Sequence, residues 1–377
     1  MSSAPHFSWR QRVAGLFSIG FAGHSLSDEL RAALRDGVGG VVLFRRNIRC
    51  KEQVAELICD IKAYADRPVL VSVDQEGGLV QRLKTGFTCF PPAAVIGSTQ
   101  SAEVAYEVGS VLGSELRAIG VDLNFAPVLD VNTNASNPVI GRRALSHDPH
   151  LVAQLGIALG QGIEGAGVAS CGKHFPGHGD TESDSHLDLP RQRHRLERLR
   201  RVELVPFHAW ARAGLASLMT AHVIFEALDA KWPATLSKAI TTELLRGQCA
   251  FDGLVFSDDM EMKAIADHFG HEQAALLGLG AGIDHFLCCQ PTDLADRMIA
   301  ALSREAEKDP ALAEKIAQAE TRNHHFRHRW ARGPQAARWD LLQSKKACQL
   351  AERLAKLELE TTLTNGSDPT EIINNDR

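Results

Sequence analysis

The 377-residue chain has no run of 18 apolar residues, so no stretch reads as a membrane-spanning helix. It has no Cys-x-x-Cys pair, although it holds eight cysteines, at positions 50, 59, 89, 171, 249, 288, 289 and 348. Most of these sit in apolar runs such as VASCGK and DHFLCCQ. They read as small buried hydrophobes in a reducing, cytoplasmic setting and argue against a disulfide framework. No His-Glu-x-x-His motif occurs. Neither sign of charge dominates: 41 Lys and Arg stand against 46 Asp and Glu, a net of −5. That balance gives no general reason to bind nucleic acid or an anionic membrane. A secretory leader is also poorly supported. Arg10 and Arg12 precede VAGLFSIGFAG, but that run contains Ser18 and three glycines and is followed by no clean small-x-small site. A buried first strand is the better reading.

What is present is alternation. Eight apolar, β-rich runs cover 15–20, 39–44, 68–74, 121–130, 168–175, 217–225, 253–259 and 284–289. Each is apolar on both faces, as in a parallel sheet covered on both sides. Amphipathic segments separate them, several opening on a Ser cap or closing on Gly, as in SLSDELRAALRDG. The pattern predicts an α/β fold, a (β/α)8 TIM-type barrel, as a single catalytic domain over residues 1–358 with extra C-terminal helices packed outside it. The tail 359–377 has few large apolar residues and is expected to be disordered. A monomer is expected.

Polar residues gather where the strand runs end: Asp74-Gln75-Glu76, Asp130, Lys173-His174, His222 and Asp258-Asp259. In such barrels the C-terminal strand ends form the active face. The densest cluster is KHFPGHGDTESDSHLDLP, residues 173–190. His174, His178 and His186 with Asp180 and Asp184 can be read as metal ligands, as a hydrogen-bonded loop, or as a proton-transfer device. Their spacing matches no familiar zinc pattern. Proton transfer is favoured by Asp184-Ser185-His186: in an extended segment side chains two apart face the same way, so the carboxylate can fix the imidazole tautomer. Histidine titrates near neutrality and can act as acid or base.

Three further stretches carry chemistry. GLVFSDDMEM ends an apolar strand in two carboxylates. Asp258, the first, is the candidate nucleophile, and Asp259 is expected to cap the next helix. In VDQEGGLVQRL, Gly77-Gly78 permits a tight turn, Asp74 can accept hydroxyls, and Arg82 can donate to ligand oxygens or brace Asp74; a ligand-free Asp–Arg pair is the alternative. In NPVIGRRALSHDP either Arg142 or Arg143 can face a pocket. The arginine-rich RQRHRLERLRR has Leu196, Leu199 and Val202 at helical spacing and reads as a solvated helix face rather than a polyanion site. His324 and His328, four apart, are flanked by Arg327 and Arg329, which would repel a dication.

KHFPGHG (173–179), DSH (184–186) and Pro190, supported by GLVFSDD, VDQEGG, NPVIGRR, TAHVIF and LFRRNI, resemble glycoside hydrolase family 3 over roughly residues 12–300. They are most similar to its single-domain bacterial β-N-acetylglucosaminidases of peptidoglycan recycling. The resemblance implies a retaining mechanism with Asp258 as nucleophile, His186 as acid/base and Asp184 as its partner. It implies that Asp74, Arg82, Arg143, Lys173 and His174 hold N-acetylglucosamine. The substrate it implies is a small carbohydrate or muropeptide, with neither metal nor cofactor. The chain departs from the family pattern at Leu79, at Gly141–Leu145 and at Glu261. Another family 3 β-glycosidase, an N-acetylglucosaminide phosphorylase, a metal-dependent hydrolase using the histidine loop and a sugar-binding barrel without catalysis are the alternatives.

Overall fold

The computed structural model describes residues 7–181, 189–291 and 293–365. All eight expected runs become strands: β1 (Phe17–Ile19), β2 (Gly40–Leu43), β3 (Leu70–Val73), β4 (Leu123–Asn124), β5 (Ala169–Phe175), β6 (Ser217–Thr220), β7 (Leu254–Asp259) and β8 (His285–Cys288). Each pairs in parallel with its sequence neighbours, and β1 pairs with β8 through Phe17–Phe286 and Ile19–Cys288, so the sheet closes into a barrel. Helices surround it, giving the (β/α)8 TIM-type architecture.

The period-2 geometry of strands divides each run between two cores. Val42, Leu70, Leu123, Ala169, Leu254, Phe256 and Leu287 fill the barrel interior. Their neighbours Val41, Leu43, Val71, Val73, Val255 and Phe286 point outward into clusters built with the helices. This double burial is why the strands read as continuous apolar runs. The first strand is preceded by a short helix, Trp9–Ala14, capped by Ser8, so the N-terminal apolar run is split between two elements.

The C-terminal helices differ from expectation in one respect. Helix Leu294–Ala306 follows β8 and completes the α/β alternation. The next helix, Pro310–Trp330, does not simply pack outside. Its Phe326 and Trp330 join the interior cluster with the first residues of β3, β4, β5 and β7, and so plug the N-terminal mouth of the barrel. Phe326 meets Phe256 edge to face at 5.9 Å, and Asn323 donates to the Asp284 carbonyl at 2.7 Å. The last helix, Lys345–Asn365, continues past the boundary expected at 358; the rest of the tail lies outside the described residues. The arginine-rich segment forms a short strand, Arg191–Gln192, and helix Leu196–Arg201, with Leu199 buried and Arg191, Arg193, Arg195 and Arg200 exposed. No helix among the described residues is long and apolar enough to cross a membrane.

The plug occupies the N-terminal mouth, opposite the C-terminal strand ends. The sheet register breaks there in two places. Between Phe256 and Asp259 β7 takes three steps while β8 takes two, and between Gly172 and Phe175 β5 takes three while β6 takes two. Each is a bulge with one extra residue, a device that re-aims side chains next to active sites. One holds Asp258; the other holds Lys173 and His174.

Candidate active site

After β3 the chain turns back on itself as a hairpin of Gln75–Gly77 and Val80–Gln81. Gly77 and Gly78 take φ of 105° and 59°, which only glycine adopts without strain. The Gln75 side chain closes the hairpin from within, accepting from Arg82 and Leu83 N–H at 2.9 and 3.0 Å and donating to the Leu83 carbonyl. Asn124 on β4 exchanges two hydrogen bonds with the Gln75 backbone, each 3.0 Å. This fixed backbone presents Asp74 and Glu76, two apart, to one partner. Lys173 Nζ lies 2.8 Å from Asp74 Oδ1 and 2.6 Å from Glu76 Oε1. Arg143 holds Glu76 with both ends of its fork, Nε at 2.9 Å and Nη2 at 2.8 Å. Of the two candidate arginines it is therefore Arg143 that joins the site, while Arg142 reaches Glu358 on the last helix at 2.7 Å.

Electrostatics follow from this quartet of two acids and two bases. Burial alone would raise the Glu76 carboxyl, but the adjacent Arg143 and Lys173 charges outweigh it and hold the group well below the usual carboxylate range. Burial likewise works against the charge on Lys173, and Asp74 and Glu76 more than offset it, raising its pKa. Arg82 stands at the edge, with Nη2 3.8 Å from Asp74 Oδ2 and its guanidinium over the Phe44 ring. Its Nε is buried and has no acceptor among the described residues, leaving one donor for a ligand oxygen.

Asp130, fully buried beyond β4, organises the start of the histidine loop. It accepts from His174 N–H, from His178 N–H at 2.6 Å and from His174 Nδ1 at 2.7 Å. Burial opposes ionisation of Asp130, and the two histidines counter it, so its pKa is lowered. A carboxylate on Nδ1 fixes the proton there and leaves Nε2 of His174 for another partner. His178 turns instead to Thr181, with Nδ1 2.8 Å from Oγ1, and burial pushes its pKa down to about 4. Gly179 cannot carry a side chain, because a Cβ would lie 1.9 Å from the Val131 carbonyl oxygen. On the far side of the loop, Ile224 N–H donates to the Pro190 carbonyl at 2.9 Å, and Arg191–Gln192 pairs with Ile224–Phe225. Both ends of the loop are thus anchored at the mouth. Asp184 and His186 lie outside the described residues.

The proposed metal ligands His174, His178 and Asp180 face three different partners, since Asp180 pairs with His194. Asp180, His194 and Glu203 do bring ligand atoms within 4.8 Å of one another. Arg198 already supplies a cation there, 3.4 Å from Asp180 and 3.2 Å from Glu203.

At the end of β7 the two aspartates part ways. Asp258, half-buried, accepts from the Asp259 N–H at 2.8 Å. Asp259 does not cap the next helix, Lys263–Phe269, whose N-cap is Met262. Its Oδ1 accepts from Glu261 N–H and from Cys289 N–H beyond β8, both at 3.1 Å. Burial, reinforced by the Glu261 charge, pushes the Asp259 carboxyl up to about 7. The Cys171 thiol, inside the barrel, is pushed up to about 12 by burial, and the charges of Lys173, Asp74 and Asp258 also act on it. Glu76 and Asp130 carried no assigned role in the sequence. The one available signal was the period-2 pairing of Asp74 with Glu76 at a strand end.

The description "Glycosyl hydrolase family 3 N terminal domain" matches residues 9–322. A β-hexosaminidase of Thiobacillus denitrificans is 46% identical over 76% of this chain and 82% of its own. One of Chromobacterium violaceum is 42% identical over 80% and 85%. Among solved structures, a family 3 β-N-acetylglucosaminidase of Paenibacillus sp. FPU-7 shares 38% identity with a TM-score of 0.89, covering 93% of this chain and 69% of that one. NagZ of Neisseria gonorrhoeae, in complex with N-trifluoroacetyl-D-glucosamine, shares 33% identity with a TM-score of 0.76 over 94% and 99%. A family match across most of the chain, on a closed barrel with carboxylates and bases gathered at one mouth, makes this protein a glycoside hydrolase of family 3.

Proposed function

We propose that the protein is a retaining exo-β-N-acetylglucosaminidase that releases N-acetylglucosamine from β-1,4-linked anhydromuropeptides during peptidoglycan recycling. The names of its relatives, β-hexosaminidases and β-N-acetylglucosaminidases, support the sugar. The observation that carries the mechanism is the division of labour at the end of β7. Asp258 projects from the bulge with one short backbone donor, whereas the neighbouring Asp259 spends its carboxylate on two N–H groups and sits near pKa 7. A nucleophile must be ionised, and the raised pKa of Asp259 argues against that residue, which supports Asp258.

Asp258 attacks the anomeric carbon while His186, aligned by Asp184, protonates the leaving oxygen. The neutral imidazole then deprotonates water, which cleaves the glycosyl–aspartate and retains configuration. Asp74, Lys173, Arg143, Arg82 and His174 hold the sugar. The unpaired Arg82 donor and the Asp130-oriented His174 ring supply directed contacts, and the quartet keeps them fixed.

The test is a panel of p-nitrophenyl β-glycosides followed by the disaccharide substrate. Hydrolysis of the N-acetylglucosaminide well above the glucoside is expected; the reverse preference would overturn the sugar assignment. His186→Ala should lose far more activity on the disaccharide than on the aryl glycoside, whose leaving group needs little protonation. Equal losses would remove His186 as the acid, and sugar-1-phosphate formed in phosphate buffer would replace water as the acceptor.

A further inference from the structure

The bulge in β7 aims Asp258, and a bulge without support would relax. Its support comes from β6. His222, completely buried just beyond the end of β6, places Nε2 3.0 Å from the Asp259 carbonyl oxygen and Nδ1 2.8 Å from Thr235 Oγ1. A carbonyl only accepts, so Nε2 carries the proton. In the neutral ring Nδ1 is then an acceptor for the Thr235 hydroxyl, which lies 2.9 Å from Thr220 Oγ1 on β6. The chain of donors runs from β6 through Thr235 and His222 into the bulge.

Asp259 is gripped at its carbonyl, at Oδ1 and at its N–H. Its carbonyl takes His222 and the Met262 N–H at 3.1 Å, and its carboxylate takes Glu261 and Cys289 N–H. The one donor it has left, its own N–H, points to Asp258 Oδ1 at 2.8 Å. Freezing residue 259 therefore fixes the hydrogen bond that holds the Asp258 carboxylate. The residue before His222 ties to the opposite side, with Ala221 N–H donating to the Phe175 carbonyl at 2.8 Å, just past the β5 bulge that carries Lys173 and His174. The Ala221-His222 segment thus bridges the bulge that holds the nucleophile and the bulge that holds the sugar-gripping bases.

We propose that His222 is a positioning residue for the glycosidase reaction: through the Asp259 peptide it sets the reach of Asp258 toward the anomeric carbon. The inference rests on Asp258 being the nucleophile. It predicts a defect in the chemical step and not in sugar binding, because the hydrogen bonds of His222 to Thr235 and the Asp259 carbonyl lead into the β7 bulge.

The experiment compares His222→Ala and His222→Gln in the full chain on a poor-leaving-group β-N-acetylglucosaminide, with circular dichroism and thermal melts to check the fold. Gln can return an N–H donor to the position of Nε2. His222→Ala should lower kcat about 10- to 100-fold, the effect of an ångström-scale misplacement, with KM changed by less than about twofold. His222→Gln should recover most of the lost kcat. An unchanged kcat in a folded Ala variant, or a loss confined to KM, or no recovery by Gln, would overturn the proposal. Should the Ala variant fail to fold, Thr235→Val, which removes the Nδ1 partner together with the hydroxyl's contacts to Thr220 Oγ1 and the Ala221 carbonyl, should still lower kcat about 3- to 10-fold at unchanged KM, and wild-type kcat there would overturn it. A separate fluorosugar label reports which residue is the nucleophile, so a failure of that underlying assignment is distinguished from a failure of His222 to position it.

Discussion

Glu76 shares one carboxylate between two cations in a place where water cannot compensate for losing either. Removing one member of a buried ion cluster leaves its partners as uncompensated charge, typically at a cost of about 3–5 kcal/mol. Glu76→Ala should therefore lower unfolding stability by that order, read from denaturant midpoints, as well as reduce activity; a variant as stable as wild type would show that the quartet is not coupled. Asp259 gives a pH signature of the opposite kind. Its folded pKa is raised to about 7, above the ordinary aspartate value of about 3.9. The unfolded chain ionises first, so the folded state loses stability as pH rises from about 4 and levels off above about 7. Asn keeps the oxygen that accepts from Glu261 and Cys289 but cannot ionise. Asp259→Asn should thus gain melting temperature relative to wild type between about pH 4 and pH 7, and a constant difference across that range would contradict the shift. The sequence named most of the residues in this chamber, because strand ends that turn abruptly from apolar to charged are visible in one dimension. It did not reveal Glu76 as the hub or Asp130 as the orienter of His174. Those roles depend on which strands become neighbours, and no local pattern encodes that.

The strands were legible as elements because burial on both faces leaves them almost without polar residues. The two bulges were not, since an extra residue in one strand shows only against its partner's register, yet they aim Asp258 and Lys173. The helix Pro310–Trp330 was legible as a helix, but its role was not. Its apolar residues look like those of any surface helix until Phe326 and Trp330 are found inside the barrel mouth. Phe326 is 6% exposed and meets Phe256 edge to face. Truncating such a side chain costs about 3–5 kcal/mol through lost contacts and the cavity left behind. Phe326→Ala should show that loss in urea unfolding while KM stays near wild type, since the plug lies at the end of the barrel away from the charged chamber. A large change in KM would mean that the floor and the active face are mechanically linked.

Across the whole molecule the barrel repeats one device half a turn apart. Asp122, just before β4, accepts from Val71 N–H at 3.0 Å and pairs with the buried Lys62 at 2.7 Å. Asp284, just before β8, accepts from Val255 N–H at 2.9 Å and pairs with Arg322 at 3.0 Å and with Arg246. Charge at the floor is thus locked in ion pairs and backbone bonds, while the opposite face gathers Asp74, Glu76, Arg143 and Lys173 beside the strand end that carries Asp258. That asymmetry is what a barrel enzyme needs: one end built for stability and the other for chemistry. The central claim is that the chamber forms a covalent bond to the sugar through Asp258. A slow 5-fluoro N-acetylglucosaminyl substrate, followed by proteolysis and mass spectrometry, tests it directly. The account predicts a stable adduct on the peptide containing Asp258 and release of the sugar with retained anomeric configuration. An adduct on Asp259 or on any other residue, or an inverted product, would contradict it.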